Sequence, residues 1–269
     1  MKLFELWRRL PRGPKRQVGR WWYELLSSFD TGTGLLFMNH GYARAPDEGP
    51  LALQPEDEEH RFAIQLYHRV AGAIDWRGLD GLEVSCGRGG GANYVARTLA
   101  PRTLVGLDVT RSAIRFCERH YTCTGLSFRH GDAEHLPFPD GSFDVVLNVE
   151  ASRSYPHPRL FFREVARVLR PGGHFLFADF RKQSKLAKLD DQLRSSGLEF
   201  VEREDISPRV AEALALDARR RAASIERLAP RGARSVFGRF AHVDDDERRR
   251  FESGEKVYLC CIAQKATGS

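Results

Sequence analysis

Cysteine is scarce in this chain. There are five in 269 residues, at 86, 117, 123, 260 and 261, and no C-x-x-C pair. An odd count without paired spacing argues against a disulfide framework and against a zinc site; a reduced, cytoplasmic protein is expected, with no metal. Long apolar runs are missing too. None approaches the ~20 residues that span a bilayer. The amino terminus lacks an apolar stretch followed by a small-residue cleavage site, so it does not read as a secretory signal. No internal repeat or low-complexity tract is evident. Net charge is absent from most of the chain. The total is +6, and residues 1–20 account for it through Lys2, Arg8, Arg9, Arg12, Lys15, Arg16 and Arg20 against Glu5 alone. The remainder is close to neutral, so the basic balance does not imply a nucleic-acid-binding core.

What is present begins with that basic segment. Leu3, Phe4, Trp7, Leu10, Trp21 and Trp22 are interleaved with its charges. It reads as a solvated arm or a helix lying over the domain, and residues 1–22 also suit contact with an anionic membrane surface. From residue 60 onward helix and strand patterns alternate. Helices are predicted over Arg61–Ile74, Ala92–Leu99, Arg111–His120, Pro158–Leu169, Leu186–Ser195 and Arg209–Leu228. Strands are predicted over Leu82–Ser85, Thr103–Leu107, Leu126–His130, Phe143–Val149, His174–Asp179, Leu198–Glu202 and Val257–Gln264. Between residue 228 and the last strand no ten-residue helix can be assigned. This order predicts an α/β, Rossmann-like fold: a seven-stranded, mostly parallel sheet with helices on both faces. Residues 1–60 fall outside the repeating pattern and are expected to form a basic arm and helical cap over a single domain at 61–269.

The stretch "LEVSCGRGGGA" at 82–92 fits G-x-G-x-x-A through Gly87, Gly89 and Ala92. Alone, that is a weak dinucleotide signal. Glu83 precedes Gly87 by four residues, and a carboxylate there would repel the pyrophosphate of NAD at short range. S-adenosylmethionine brings an ammonium and a sulfonium instead, and suits it. The glycines would let the backbone approach a ligand without a Cβ in the way. Asp108, 21 residues after Gly87 in "LVGLDVT", is placed to accept from two ribose hydroxyls. Asp132, in "HGDAEHLPFPDGSFDVVL", can face an adenine amino group, with the backbone N–H of Ala133 beside the ring.

These segments, together with "EVARVLRPGGHFLFADF", resemble the class I S-adenosylmethionine-dependent methyltransferases. More closely, "FMNHGYA", "LYHRVA" and "VEASRSYPHP" resemble the actinobacterial phthiotriolone and phenolphthiotriolone dimycocerosate methyltransferases and related natural-product O-methyltransferases. The likeness runs from about residue 36 to 205. It implies that Glu83, Gly87, Gly89 and Gly91 form the first cofactor motif and that Asp108 with Val109 holds the ribose. Asp132 and Ala133 would hold adenine, and Asn148 and Glu150 would lie under the methionine part. Relatives often carry a histidine in the "EAS" to "YP" loop; this chain has Arg153 and Ser154 there.

Methyl transfer from a sulfonium is a one-step displacement in which the protein mainly supplies orientation and a dry site. A hydroxyl acceptor gains from a base. His157 is the histidine of the loop after the fourth strand, and Asp179 could orient it or replace it; these two are the expected catalytic residues. Tyr42 is expected against the cofactor carboxylate, and His68 as a helix-packing residue. The run Asp244-Asp245-Asp246 reads as a solvated face rather than a metal site. A nucleic-acid base methyltransferase usually carries D/N-P-P-Y/F after the fourth strand, and "NVEASRSYP" does not match. The expected activity is O-methylation of a hydroxyl on a small hydrophobic lipid or polyketide-like molecule. The alternative is a cofactor-binding cyclase or scaffold that transfers no methyl group.

Overall fold

The computed structural model describes residues 36–228 and 245–267. All seven predicted strands form: β1 (Asp80–Val84), β2 (Thr103–Asp108), β3 (Leu126–His130), β4 (Phe143–Val149), β5 (Leu169–Lys182), β6 (Leu198–Asp205) and β7 (Lys256–Lys265). They lie in one sheet in the order β3-β2-β1-β4-β5-β7-β6. The pairs β1–β2, β1–β4, β2–β3 and β4–β5 are parallel, whereas β7 runs antiparallel to both β5 and β6. The strand order reverses between β1 and β4, and a crevice outside the carboxyl ends of those strands is where such sheets bind ligands.

Helices cover both faces because the central strands are apolar on both sides. Along β4, Val145 and Leu147 pack into one cluster with Ile64, Leu66, Trp76 and Tyr258. Val146, pointing the opposite way, packs with Phe161, Phe162, Phe175 and Phe177. The helix α1 (Arg61–Ala71) buries Ala63, Ile64, Tyr67, Val70 and Ala71, a helical stripe against the first cluster. Next come α2 (Gly90–Leu99) and α3 (Arg111–His120). Then α4 (Pro158–Val168) starts with proline at its first position, where a missing N–H costs nothing. After α5 (Leu186–Arg194) and α6 (Ser207–Leu228), the helix α7 (Asp245–Glu252) leads into β7.

That last helix escaped the sequence reading because it is only eight residues long and strongly polar. Its first acids, Asp245 and Asp246, are exposed, as expected of a solvated face. Glu247 is buried, however, and pairs with Lys256. Two strands run three or more residues beyond their predicted bounds. β5 continues through Lys182, held by β7 residue for residue, and β6 reaches Asp205.

Of the expected amino-terminal cap, residues 1–35 and the basic arm within them lie outside the described residues. The segment 36–60 contains two short 3₁₀ helices, Pro46–Glu48 and Pro55–His60. Residues 39–43 are buried in the body. The Tyr42 N–H donates to Phe62 O at 2.9 Å, and Ala43 N–H to Arg209 O at 3.1 Å. Arg221 of α6 donates to the carbonyls of Asn39 and His40.

Candidate active site

The glycine turn joins β1 to α2. Gly89 caps the helix with φ +77°, a left-handed conformation that glycine adopts without strain. A Cβ on Gly91 would come within 2.0 Å of the Tyr67 ring, and one on Gly89 would meet Tyr121, Cys117 and Phe128 within 2.9 Å. Both glycines therefore leave room for these protein side chains. Ser85, just before the turn, holds a left-handed φ of 61°. Its Oγ lies 2.6 Å from the Tyr155 hydroxyl.

Glu83 is buried on β1, and the Tyr67 hydroxyl donates to its Oε1 at 2.7 Å. Burial, more than the neighbouring Asp108 charge, pushes its carboxyl up to about 7. Asn148, on the adjacent β4, donates through Nδ2 to Val84 O at 2.9 Å and to Tyr155 at 3.0 Å. Two acceptors here have no hydrogen-bond partner among the described residues: Glu83 Oε2 and Asn148 Oδ1. Orphaned buried acceptors are costly and rare. Their presence on neighbouring strand ends fits a ligand that brings N–H donors and positive charge, as S-adenosylmethionine does.

Asp108 ends β2. Its Oδ2 accepts from Gly87 N–H at 2.9 Å and its Oδ1 from Thr110 N–H at 2.8 Å, so it ties the glycine turn to its own strand end. Val109 follows, half-buried. Asp132 is exposed and caps its own turn through Glu134 N–H at 2.9 Å, while Ala133 beside it is buried. The turn is stitched to β2 by Gly131 N–H on Asp108 O at 3.0 Å.

Glu150 sits at φ +55° just after β4. Its Oε1 accepts from His40 N–H at 2.6 Å and from the Tyr258 hydroxyl at 2.8 Å; its Oε2 lies 2.6 Å from His40 Nδ1. Against the penalty of burial, His40 and Arg153 hold its carboxyl down at about 2. Sequence reasoning did not join His40 to Glu150, because 110 residues separate them. Tyr42 is buried with its hydroxyl on Glu48 at 3.1 Å, not turned to the strand ends, and burial pushes it up to about 12. His68 packs between helices, 2.9 Å from the Tyr94 hydroxyl.

The expected pair of His157 and Asp179 does not come together. The His157 side chain is 69% exposed at the start of α4, and both its backbone N–H and its Nδ1 are held by Glu134. Asp179 is fully buried on β5. Its Oδ2 accepts from Ser152 Oγ at 2.9 Å and Arg153 N–H at 3.0 Å, and forms an ion pair with Arg181 Nη1 at 3.0 Å. Its Oδ1 accepts from Phe180 N–H at 2.8 Å and Arg153 Nη1 at 3.2 Å. Despite burial, the two arginines hold this carboxyl below its ordinary range. A carboxylate so engaged is a poor proton acceptor.

The strand order is that of the Rossmann-like methyltransferase fold. Residues 82–177 match the model of the methyltransferase domain. The chain is 40% identical over 244 residues to the phthiotriol/phenolphthiotriol dimycocerosates methyltransferase of Mycobacterium tuberculosis, covering 90% of each. It is 42% identical over 196 residues to the fatty-acid O-methyltransferase of Mycolicibacterium smegmatis, 73% of this chain and 71% of that one. Among solved structures, the [4+2]-cyclase SpnF superposes with a TM-score of 0.70 at 24% identity, over 94% of this chain and 96% of that one. Geranyl diphosphate C-methyltransferase from Streptomyces coelicolor, solved with S-adenosyl-L-homocysteine, gives 0.64 at 16% over 91% and 98%. At those identities the structures show the fold alone. The chain belongs to the S-adenosylmethionine-dependent methyltransferases, in the family of the phthiotriol/phenolphthiotriol dimycocerosates enzymes.

Proposed function

We propose that this enzyme transfers a methyl group to an oxygen of a hydrophobic, lipid- or polyketide-like acceptor in the cytoplasm. The acceptor class rests on relatives named for phthiotriol dimycocerosates and for fatty acids. In this reading S-adenosylmethionine, when bound, supplies an electrophilic methyl group on a sulfonium. Asp108 with Val109 receives the ribose, Asp132 and Ala133 the adenine, and the turn from Gly87 to Gly91 shapes the floor. Glu83 Oε2 receives the ammonium, Asn148 lies under the methionine part on the neighbouring strand end, and Glu150 with His40 closes the methionine end. The observation that carries the assignment is the orphaned buried Oε2 of Glu83 near the end of β1.

The acceptor would enter beside the loop 150–157 and the end of β5, next to the aromatic cluster of His40, Phe180, Phe251 and Tyr258. The basic aromatic arm at 1–22 would bring the enzyme to an anionic membrane surface where such lipids reside. The test is incubation of the full chain with S-adenosylmethionine carrying a labelled methyl group and a hydrophobic lipid extract. Label in an O-methylated lipid supports the reading. Binding of the cofactor with no label transferred to any lipid would favour the non-methylating alternative.

A further inference from the structure

Ser85 joins β1 to the glycine turn with its backbone left-handed, at φ 61°. Glycine takes that conformation without strain, so a serine is held there against a steric cost. A side chain kept under strain points to a use for that side chain. Its Oγ meets the Tyr155 hydroxyl at 2.6 Å. Ser85 directly follows β1, and Tyr155 lies on the loop after β4. The pair therefore bridges the two strand ends between which the strand order reverses. That is the crevice in which a sheet of this kind takes its ligand, and Ser85 is half-buried there.

The direction of the hydrogen bonds is set by Asn148. Its Nδ2 lies 2.9 Å from Val84 O and 3.0 Å from the Tyr155 hydroxyl oxygen. A backbone carbonyl only accepts, so the atom facing it is the amide nitrogen, and the second N–H of that nitrogen donates to Tyr155. Burial pushes the Tyr155 phenol up, so it keeps its proton at neutral pH. Among the described residues its other hydrogen-bond partner is Ser85 Oγ, and the phenol donates there. Ser85 Oγ thus receives one proton and keeps its own to give. Its hydroxyl makes no second hydrogen bond among the described residues.

S-adenosylmethionine carries one group that asks for such a donor. Its carboxylate stands on the same carbon as the ammonium, and an anion leaving water needs O–H or N–H partners. Tyr42, the residue that the sequence offered for this carboxylate, places its hydroxyl on Glu48 instead. Ser85 stands two residues after Glu83, within ~7 Å along the chain, so one amino-acid end of a ligand can reach both. We infer that Ser85 binds the carboxylate of the cofactor's methionine end, with Tyr155 and Asn148 as positioning residues that direct the Ser85 proton away from Tyr155. This rests on the reading of the crevice as the S-adenosylmethionine site with Glu83 on the ammonium. Glu83 and Ser85 then recognise opposite charges carried by a single carbon.

The test is calorimetry on the full chain with three ligands. These are S-adenosylhomocysteine, its decarboxylated analogue, which keeps the ammonium, and methylthioadenosine, which has neither charge. Ser85→Ala and Ser85→Gly should each weaken S-adenosylhomocysteine by ~10- to 100-fold, the loss of a hydrogen bond to a charged group, and leave the other two ligands within about twofold. The glycine variant relieves the left-handed backbone, so it stands in for an alanine variant that fails to fold. Tyr155→Phe should show the same selectivity at ~3- to 10-fold, because the serine hydroxyl stays but loses its direction. A role in packing alone would weaken all three ligands alike. Glu83→Gln should weaken both ammonium-bearing ligands and spare methylthioadenosine. Two results would overturn the inference while leaving the cofactor reading to stand on Glu83: wild type that binds the decarboxylated analogue as tightly as S-adenosylhomocysteine, or Ser85 variants that weaken all three ligands equally. Wild type that binds none of the three would sink the inference and the cofactor reading together.

Discussion

The Tyr67 ring occupies the space that a side chain on Gly91 would need, and the Tyr67 hydroxyl donates at 2.7 Å to one oxygen of Glu83 while the other oxygen has no partner among the described residues. One aromatic residue of α1 thus makes the glycine obligatory and holds one oxygen of the buried acid.

Glu83 should make cofactor affinity depend on pH. Its carboxyl is pushed up to about 7 by burial, and only the ionised form attracts an ammonium. The dissociation constant for S-adenosylmethionine should be level above pH ~7 and rise by roughly tenfold per unit below it. Glu83→Gln should bind weakly with a flat profile. A wild-type profile that is flat from pH 5.5 to 8.5 would remove Glu83 from the site. The same shift has a consequence for stability. A carboxyl whose folded value lies above its unfolded value of 4.5 costs stability as pH rises from there to about 7. Ligand-free Glu83→Gln should therefore be more stable than wild type at pH 8, on the order of 2–3 kcal/mol by urea unfolding.

Gly91→Ala should destabilise the fold by about 1–3 kcal/mol, because its Cβ would overlap a ring that has nowhere to move. Tyr67→Ala should cost about 3–5 kcal/mol through the cavity it leaves. The double variant should cost less than the sum, since removing the ring relieves the overlap. Additive costs in a urea-denaturation cycle would mean that the contact is not what constrains the glycine.

Asp108→Ala removes the acceptor that holds Gly87 and Thr110 and faces the proposed ribose. Losing charged hydrogen bonds of ~1.5–3 kcal/mol should weaken S-adenosylmethionine binding by roughly 10- to 150-fold. Unchanged affinity by calorimetry would refute the assignment.

His157→Ala should keep its turnover. The side chain is largely exposed, and its partner Glu134, itself buried, holds it away from Asp179. A fall of 10²-fold or more with cofactor affinity intact would restore His157 as the base that the sequence suggested. Asp179→Asn should lower stability by about 1–3 kcal/mol, because it removes the charge shared by Arg153 and Arg181.

The sheet was legible in the sequence because each central strand is a short apolar run bounded by glycine, aspartate or proline. Val145, Val146 and Leu147 are buried on both faces, and such runs have no other home. The placement of the acids proposed to face the cofactor was legible for a related reason: Glu83, Asp108 and Asp132 lie at or just past strand ends, and chain position alone puts them at one edge of the sheet. The acceptor side was not. His40 reaches Glu150, and Arg153 reaches Asp179, across 110 and 26 residues respectively. No local pattern encodes such pairs. His157 looked catalytic because it sits in the right loop, yet loop membership does not set direction, and the start of α4 turns it outward. The helix α7 was missed because its single buried stripe, Glu247 and Phe251, is too short to show a period.

The most direct test of the central claim is a crystal structure of the full chain with S-adenosylhomocysteine bound. The account predicts the ligand ammonium at ~2.8–3.2 Å from Glu83 Oε2, with the ribose hydroxyls on Asp108. A nucleoside bound elsewhere, or an ammonium that leaves Glu83 Oε2 unpaired, would contradict it.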